Sequence, residues 1–468
     1  YSSHDEVSRL INPSSNEREI LYMNVEAATP GTERYAAILA HEFQHMVHWQ
    51  LDSNEDSWVN EGASELAARL SGGGVSGAID AFAQQPDTQL NAWSMDPDEN
   101  TLPHYGASYL WLEYFLQRLG ADALRVLMAE PANGIEGFEK VLRTIPGAPS
   151  FDDLYAEWVV ANLLDDTSLR DGRYGHETVD LRLAFEATYS GMPIRESTTV
   201  SQYGTDYIDL IPRSGAVAIE FSGRPTVAVV PNAAYDGRYQ WWSNRADMSN
   251  TTLTRAFDLS GLTRATLQYA LWYELEDGWD YGYVEVSTDS GATWTLLSTE
   301  YTTDYNPNGN AFGPGYTGFS GHPAGSKARL APRWIREKVD LSPYAGQRIL
   351  VRFEVITDDA VNLPGMCLDD ISVPELGFRD NAEDRVPGWE AQGFVRIDNE
   401  LPQAFLVQVI EFGKQIKIQQ LPLNEEQRGM LILEGFGTEV ERAVLAISGL
   451  TRYTTEPAQY SYRIYPHR

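Results

Sequence analysis

Apolar residues recur at helical spacing over residues 29–166. The spacing predicts short helices at about 33–50, 58–70, 105–119, 121–128 and 151–164, separated by glycine, proline or polar clusters. Ahead of the first helix, Ile20-Leu21-Tyr22-Met23-Asn24-Val25 reads as a strand, which Thr29-Pro30-Gly31-Thr32 breaks off from the helix. From about residue 200 the pattern changes to short apolar or alternating segments between turns, at 226–230, 265–273, 281–287 and 349–355. A polar, glycine-rich loop interrupts them at 302–326, and a further strand-rich part runs over 377–468. The fold class this predicts is α+β, a mainly α-helical domain followed by all-β sandwich domains. The expected boundaries are 1–198, 199–375 and 376–468. The stretch 203–231 is short for a sandwich by itself, so a module inserted into a domain completed after Gly377 stays open.

Composition narrows the function classes. Among 468 residues, 67 Asp and Glu face 35 Lys and Arg, a net charge of -32, so phosphate backbones and anionic membranes are repelled. With 43% hydrophobic residues the chain is a folding one rather than a disordered acidic one. Cys367 is the only cysteine, which excludes an intrachain disulfide and a cysteine-based zinc cluster. Any metal must use His, Asp or Glu. No apolar run reaches the roughly 18 residues of a membrane span, and Tyr1-Ser2-Ser3-His4-Asp5 is not a signal peptide. An exported protein would already have lost its leader.

His41-Glu42-Phe43-Gln44-His45 falls on the first long helix. Two imidazoles four residues apart stand on one helical face, where a single zinc ion can reach both. Glu42 is placed to accept a proton from water that the ion has acidified. The alternative is an amphipathic helix with ordinary core or surface histidines. A third ligand is needed, and His48 is too far, about 10 Å along the axis from His41; it is assigned to packing or to supporting the ligands. Glu61 and Glu65, one turn apart in Trp58-Val59-Asn60-Glu61-Gly62-Ala63-Ser64-Glu65, can supply a carboxylate, and spacing alone allows either.

This second stretch resembles the third-ligand helix of the gluzincins, the thermolysin-like clan of zinc peptidases. The resemblance implies that Glu61 binds zinc and that Glu65 orients a ligating histidine, most simply His41. His104-Tyr105-Gly106-Ala107-Ser108-Tyr109-Leu110-Trp111 loosely resembles the helix that supplies a hydroxyl to the transition state in zinc aminopeptidases of that clan. Tyr105 is the candidate it implies, with His104 and Tyr109 in reserve. Tyr105 also shares a stripe with Leu112, Phe115, Leu116 and Leu119, which makes a core tyrosine the competing reading. The clan further implies that the strand at 20–25 binds substrate as an added β-strand. Such domains usually carry a sheet of several strands, so an upstream part of the catalytic domain is expected outside this chain.

Residues 274–294, from Glu274-Leu275-Glu276-Asp277-Gly278-Trp279-Asp280 to Asp289-Ser290-Gly291-Ala292-Thr293-Trp294, together with Leu368-Asp369-Asp370-Ile371, resemble the jelly-roll module of immune inhibitor A-type secreted metallopeptidases. That resemblance covers most of 200–375. Glu276, Asp280 and Asp370 lie near turns or strand ends and supply oxygens of the kind a structural calcium takes, against solvated carboxylates on strand edges. Ser287 to Trp294 is also similar to the Asp-box hairpin of sialidases. Trp241 and Trp242 are candidates for carbohydrate or surface binding, with core packing the more ordinary role.

The expectation is an extracellular zinc metalloendopeptidase acting on protein or peptide substrates, with aminopeptidase activity also allowed. Zinc would sit on His41, His45 and Glu61, Glu42 would carry the proton, and Tyr105 or His104 would donate to the oxyanion. The competing expectation is an extracellular binding or adhesion protein with a structural or vestigial metal site.

Overall fold

Helix-forming and helix-breaking residues divide the first part of the chain into six described α-helices. They are α1 (Glu33–Leu51), α2 (Ser57–Leu70), α3 (Ala78–Gln84), α4 (Leu102–Leu127), α5 (Gly134–Thr144) and α6 (Phe151–Leu164). The computed structural model describes residues 20–26, 28–73, 77–93, 100–211, 215–326, 330–358, 361, 363–385 and 387–467. The Tyr1 to Asp5 segment, on which the leader expectation rests, lies outside them.

Thr32 opens α1 by accepting the Tyr35 N–H on its hydroxyl, with Glu33 in the first turn where the helix dipole favours an anion. Gly120, at φ 84°, interrupts the helical backbone of α4. Before that break, Tyr109 to Leu112, Tyr114 and Phe115 are fully buried, so α4 runs through the centre of the helical layer. Trp111 is its hub, in ring contact with Phe138 of α5 and with Phe151 and Trp158 of α6.

The predicted strand at 20–25 does not form: the described backbone there is irregular, and Ile20, Tyr22 and Val25 are exposed. Alternation of apolar residues makes a strand only beside a sheet edge, and no neighbouring strand pairs with this segment among the described residues.

The helices rest on a nine-stranded sheet drawn from both sides of the β module. Ile194–Val200 and Gly215–Gly223 pair with Ala458–His467, and Asp206–Leu210 pairs with Val440–Gly449. Side chains alternate across it: Tyr207, Leu406, Ile410 and Val444 enter the helical core, while Ile208, Val407, Val409 and Leu445 enter the core on the other face. Between these strands lies a sandwich of a five- and a six-stranded sheet around Tyr269, Leu271, Val351 and Phe353. Trp389–Gln392 and Val395–Ile397 pair with Asn250–Asp258 and Gln240–Trp242, so strands of the sandwich run past the expected boundary at 375. The strands from Phe405 onward join the sheet under the helices instead of packing as a sandwich of their own.

Within the sandwich, the hairpin from Ser287 to Trp294 is tied by Asp289, which accepts from the Thr293 N–H at 2.9 Å and its hydroxyl at 2.6 Å. Trp242 is buried and donates to the Pro364 carbonyl, and Trp241 donates to Asp380, so both indoles serve packing. No helix among the described residues is long and apolar enough to cross a membrane. The whole is an α+β fold.

Candidate metal centre

Five residues connect α1 to α2, short enough to lay the two helices side by side. Glu55 in this connection accepts the N–H groups of Asp56 and Gly134, both at 2.7 Å, which pins the turn to the start of α5. Gly62 then lets α2 approach α4 closely, because a Cβ there would stand 2.7 Å from the Ser108 carbonyl oxygen.

This packing brings together one atom from each of three side chains. His41 Nε2 and His45 Nε2 are 3.1 Å apart, and Glu61 Oε2 lies 3.4 Å from the first and 3.6 Å from the second. Ligands held 2.0–2.2 Å from a tetrahedral zinc stand about 3.3–3.6 Å from one another, so the observed triangle has the size of a zinc site. The opposite ring nitrogens are also held. His41 Nδ1 is 3.2 Å from Glu65 Oε1, and His45 Nδ1 is 3.1 Å from both Asn60 Oδ1 and Ser64 Oγ. With Nδ1–H donating to Glu65 and Asn60, each Nε2 lone pair points into the triangle, the tautomer a metal requires.

Two lone pairs and a carboxylate oxygen facing one another repel unless a cation or a proton sits among them. The electrostatics of the three side chains reflect this. Burial opposes charge on His41, but Glu61 and Glu65 outweigh it and push its pKa up to about 9. Burial likewise opposes charge on Glu61, yet the two histidines pull its carboxyl down to about 2. The donor set of two imidazoles and one carboxylate fits zinc, and the residues present fit that ion.

Glu42 is half-buried beside His41 on α1. Tyr105, half-buried in the first turn of α4, has its hydroxyl pKa raised by burial and then by Glu61, Glu65 and Glu42, so all three carboxylates act on it. Its ring meets Trp93 edge-on at 4.8 Å; His104 packs on the same indole at 5.7 Å. Tyr109 is fully buried in the helical core. His48 is buried and shares Asn60 with His45, at 3.2 Å. Sequence reasoning gave no role to Asn60, Ser64 or Trp93; the i, i+4 pair Asn60 and Ser64 beside the ligand was the signal for the first two.

The acidic residues of the sandwich gather differently from expectation. Glu276 and Asp280 meet Asp358, each with a carboxylate oxygen within 4.8 Å of the others. The register that pairs Ile356 with Tyr281 carries Asp358 alongside Asp280, whose Oδ1 accepts the Asp358 N–H at 3.0 Å. Asp370 is not part of this group. A register shift between Asp369 and Ser372 accompanies its left-handed backbone, and it pairs instead with Arg336 and with Arg379 at 2.5 Å.

Comparison with known proteins follows this division. Residues 200–399 match the family model of the immune inhibitor A-like MAM domain. The chain is 25% identical over 164 residues to the pre-pro-metalloprotease PrtV of Vibrio cholerae serotype O1 (strain M66-2), covering 34% of this chain and 16% of that protein. It is 31% identical over 163 residues to immune inhibitor A of Bacillus thuringiensis subsp. alesti, covering 34% of this chain and 21% of that protein. Bacillopeptidase F of Bacillus subtilis (strain 168) is 30% identical over 105 residues, covering 22% of this chain and 5% of that protein. The aligned part is thus about a fifth or less of each relative's length.

Proposed function

We propose that the chain is the zinc-binding part of a secreted metallopeptidase that hydrolyses peptide bonds, as an endopeptidase or an aminopeptidase. The observation that carries this reading is the convergence of His41 Nε2, His45 Nε2 and Glu61 Oε2, with both Nδ1 atoms held from behind. Similarity to two proteins named as a metalloprotease and as immune inhibitor A supports it. His41, His45 and Glu61 would hold zinc, whose chemistry when bound is to polarise a peptide carbonyl and acidify water. Glu42 would accept a proton from the attacking water and pass it to the leaving amine. Tyr105 donates its hydroxyl hydrogen to the oxygen on which negative charge develops. Glu65 and Asn60 keep both imidazoles in the ligating tautomer.

The test is metal analysis together with digestion of casein and a peptide library. Zinc at one ion per chain, chelator-sensitive cleavage, and a Glu42→Gln variant that keeps zinc but cleaves nothing are expected. Full activity in Glu42→Gln would sink the mechanism.

A further inference from the structure

A cavity of about 520 Å³ lies where the helical layer, the sandwich and the loop at 452–455 meet. The helical layer contributes Trp93 and Ile135, the sandwich Val229, Ala246 and Ile397, and the loop Arg452. Its volume is within the range of pockets that take small ligands and side chains. One wall adjoins the metal centre: the Trp93 indole that lines the cavity is the same one that meets Tyr105 edge-on, and Ser57 and Trp58, also in the lining, open the helix α2 on which Glu61 stands one turn further along.

The charged groups in the wall are already engaged. Arg452 is bound to Glu139 at 3.1 Å and Asp152 at 3.2 Å, and Arg245 donates to Thr455 Oγ1 at 3.1 Å. Asp56 takes the indole N–H of Trp58 at 3.4 Å, and Glu136 on the rim lies 3.6 Å from Lys140. An aromatic or branched aliphatic side chain entering here exchanges water for Trp93, Ile135, Val229 and Ile397, while the charged groups of the wall keep the partners they already have.

We propose that this cavity is a substrate subsite that accepts a large apolar side chain flanking the scissile bond, so that the sandwich forms one wall of the peptidase's specificity pocket. The proposal rests on the peptidase reading above.

The test compares wild type with Ala246→Trp and the smaller Ala246→Leu, which fill the cavity from the sandwich without touching a metal ligand. A library digest of the wild type first finds the substrate position with the strongest side-chain preference. Then kcat/KM is measured on two peptides differing there by Phe against Ala. Wild type should favour Phe by roughly tenfold or more. Ala246→Trp should bring the ratio close to one and Ala246→Leu to an intermediate value, with zinc content, melting temperature and the rate on the Ala peptide held within about twofold. A ratio unchanged in both variants, or a wild-type preference for charged side chains at every selective position, overturns the subsite while zinc-dependent cleavage leaves the metal-centre reading standing. Wild type that cleaves no peptide with zinc bound removes the peptidase reading and the subsite with it.

Discussion

Gly62 and Ser108 touch so closely that the two helices carrying the candidate chemistry, α2 and α4, are in backbone contact one residue past Glu61. A Cβ on Gly62 would stand 2.7 Å from the Ser108 carbonyl oxygen and 2.9 Å from its carbon. Neither atom belongs to a flexible side chain, so Gly62→Ala must separate the helices. Thermal unfolding should show a loss of about 1–3 kcal/mol. Because the displaced residue adjoins Glu61, zinc affinity should fall in the same variant. A stable protein with normal zinc affinity would mean that the ligand geometry does not depend on this contact.

Glu61 and Glu65 flank the same imidazole from opposite sides, and their substitution should have unequal effects. Glu61 approaches the Nε2 atoms of both histidines, while Glu65 approaches Nδ1 of His41 alone. Glu61→Ala should therefore abolish stoichiometric zinc binding. Glu65→Ala should leave a site that binds zinc roughly 10- to 100-fold more weakly. Competition titration against a chromophoric chelator distinguishes the two, and the reverse ranking would exchange their roles.

Legibility in the sequence followed the range over which each feature is built. His41 and His45 were readable because helical spacing alone puts them on one face. Spacing did not choose between Glu61 and Glu65, which lie on one face of α2; the choice of Glu61 came from the resemblance alone, because only the packing of α1 against α2 decides which carboxylate approaches Nε2. Asp358 was missed, and Asp370 chosen, because sheet register brings Asp358 to Asp280 from 78 residues away. Helix α5 escaped notice although Ile135, Phe138, Val141 and Leu142 form a buried stripe: Gly134 and Gly137 weaken its helical propensity. The sheet under the helices joins segments more than 200 residues apart, a pairing that local alternation cannot reveal.

Tyr105 should separate binding from catalysis. Phenylalanine keeps the ring against Trp93 and removes only the hydroxyl. Loss of one donor to a developing oxyanion costs about 10²- to 10³-fold in kcat, with KM and zinc content little changed. Steady-state kinetics on a single peptide checks this. If Tyr105→Phe keeps its rate while His104→Ala loses it, the donor is His104.

Glu55 makes stability depend on pH in a predictable direction. It is buried in the α1–α2 connection, and burial, with Asp56 next in effect, pushes its pKa up to about 8 from an ordinary 4.5. Between those values the folded chain holds a proton that the unfolded chain has released. This contribution to stability is therefore fully present below about pH 4.5 and is lost as pH rises toward 8. Glu55→Gln keeps an oxygen for the Gly134 and Asp56 N–H groups but cannot ionise. The variant should match wild type near pH 5 and exceed it at pH 8 by on the order of 1 kcal/mol or more. Urea unfolding at both pH values measures the difference. The zinc centre does not confuse the result if metal is saturating throughout, because Glu55 contacts α5 rather than the ligands. Equal pH dependence in both proteins would show that Glu55 ionises normally and that the turn before α2 admits water.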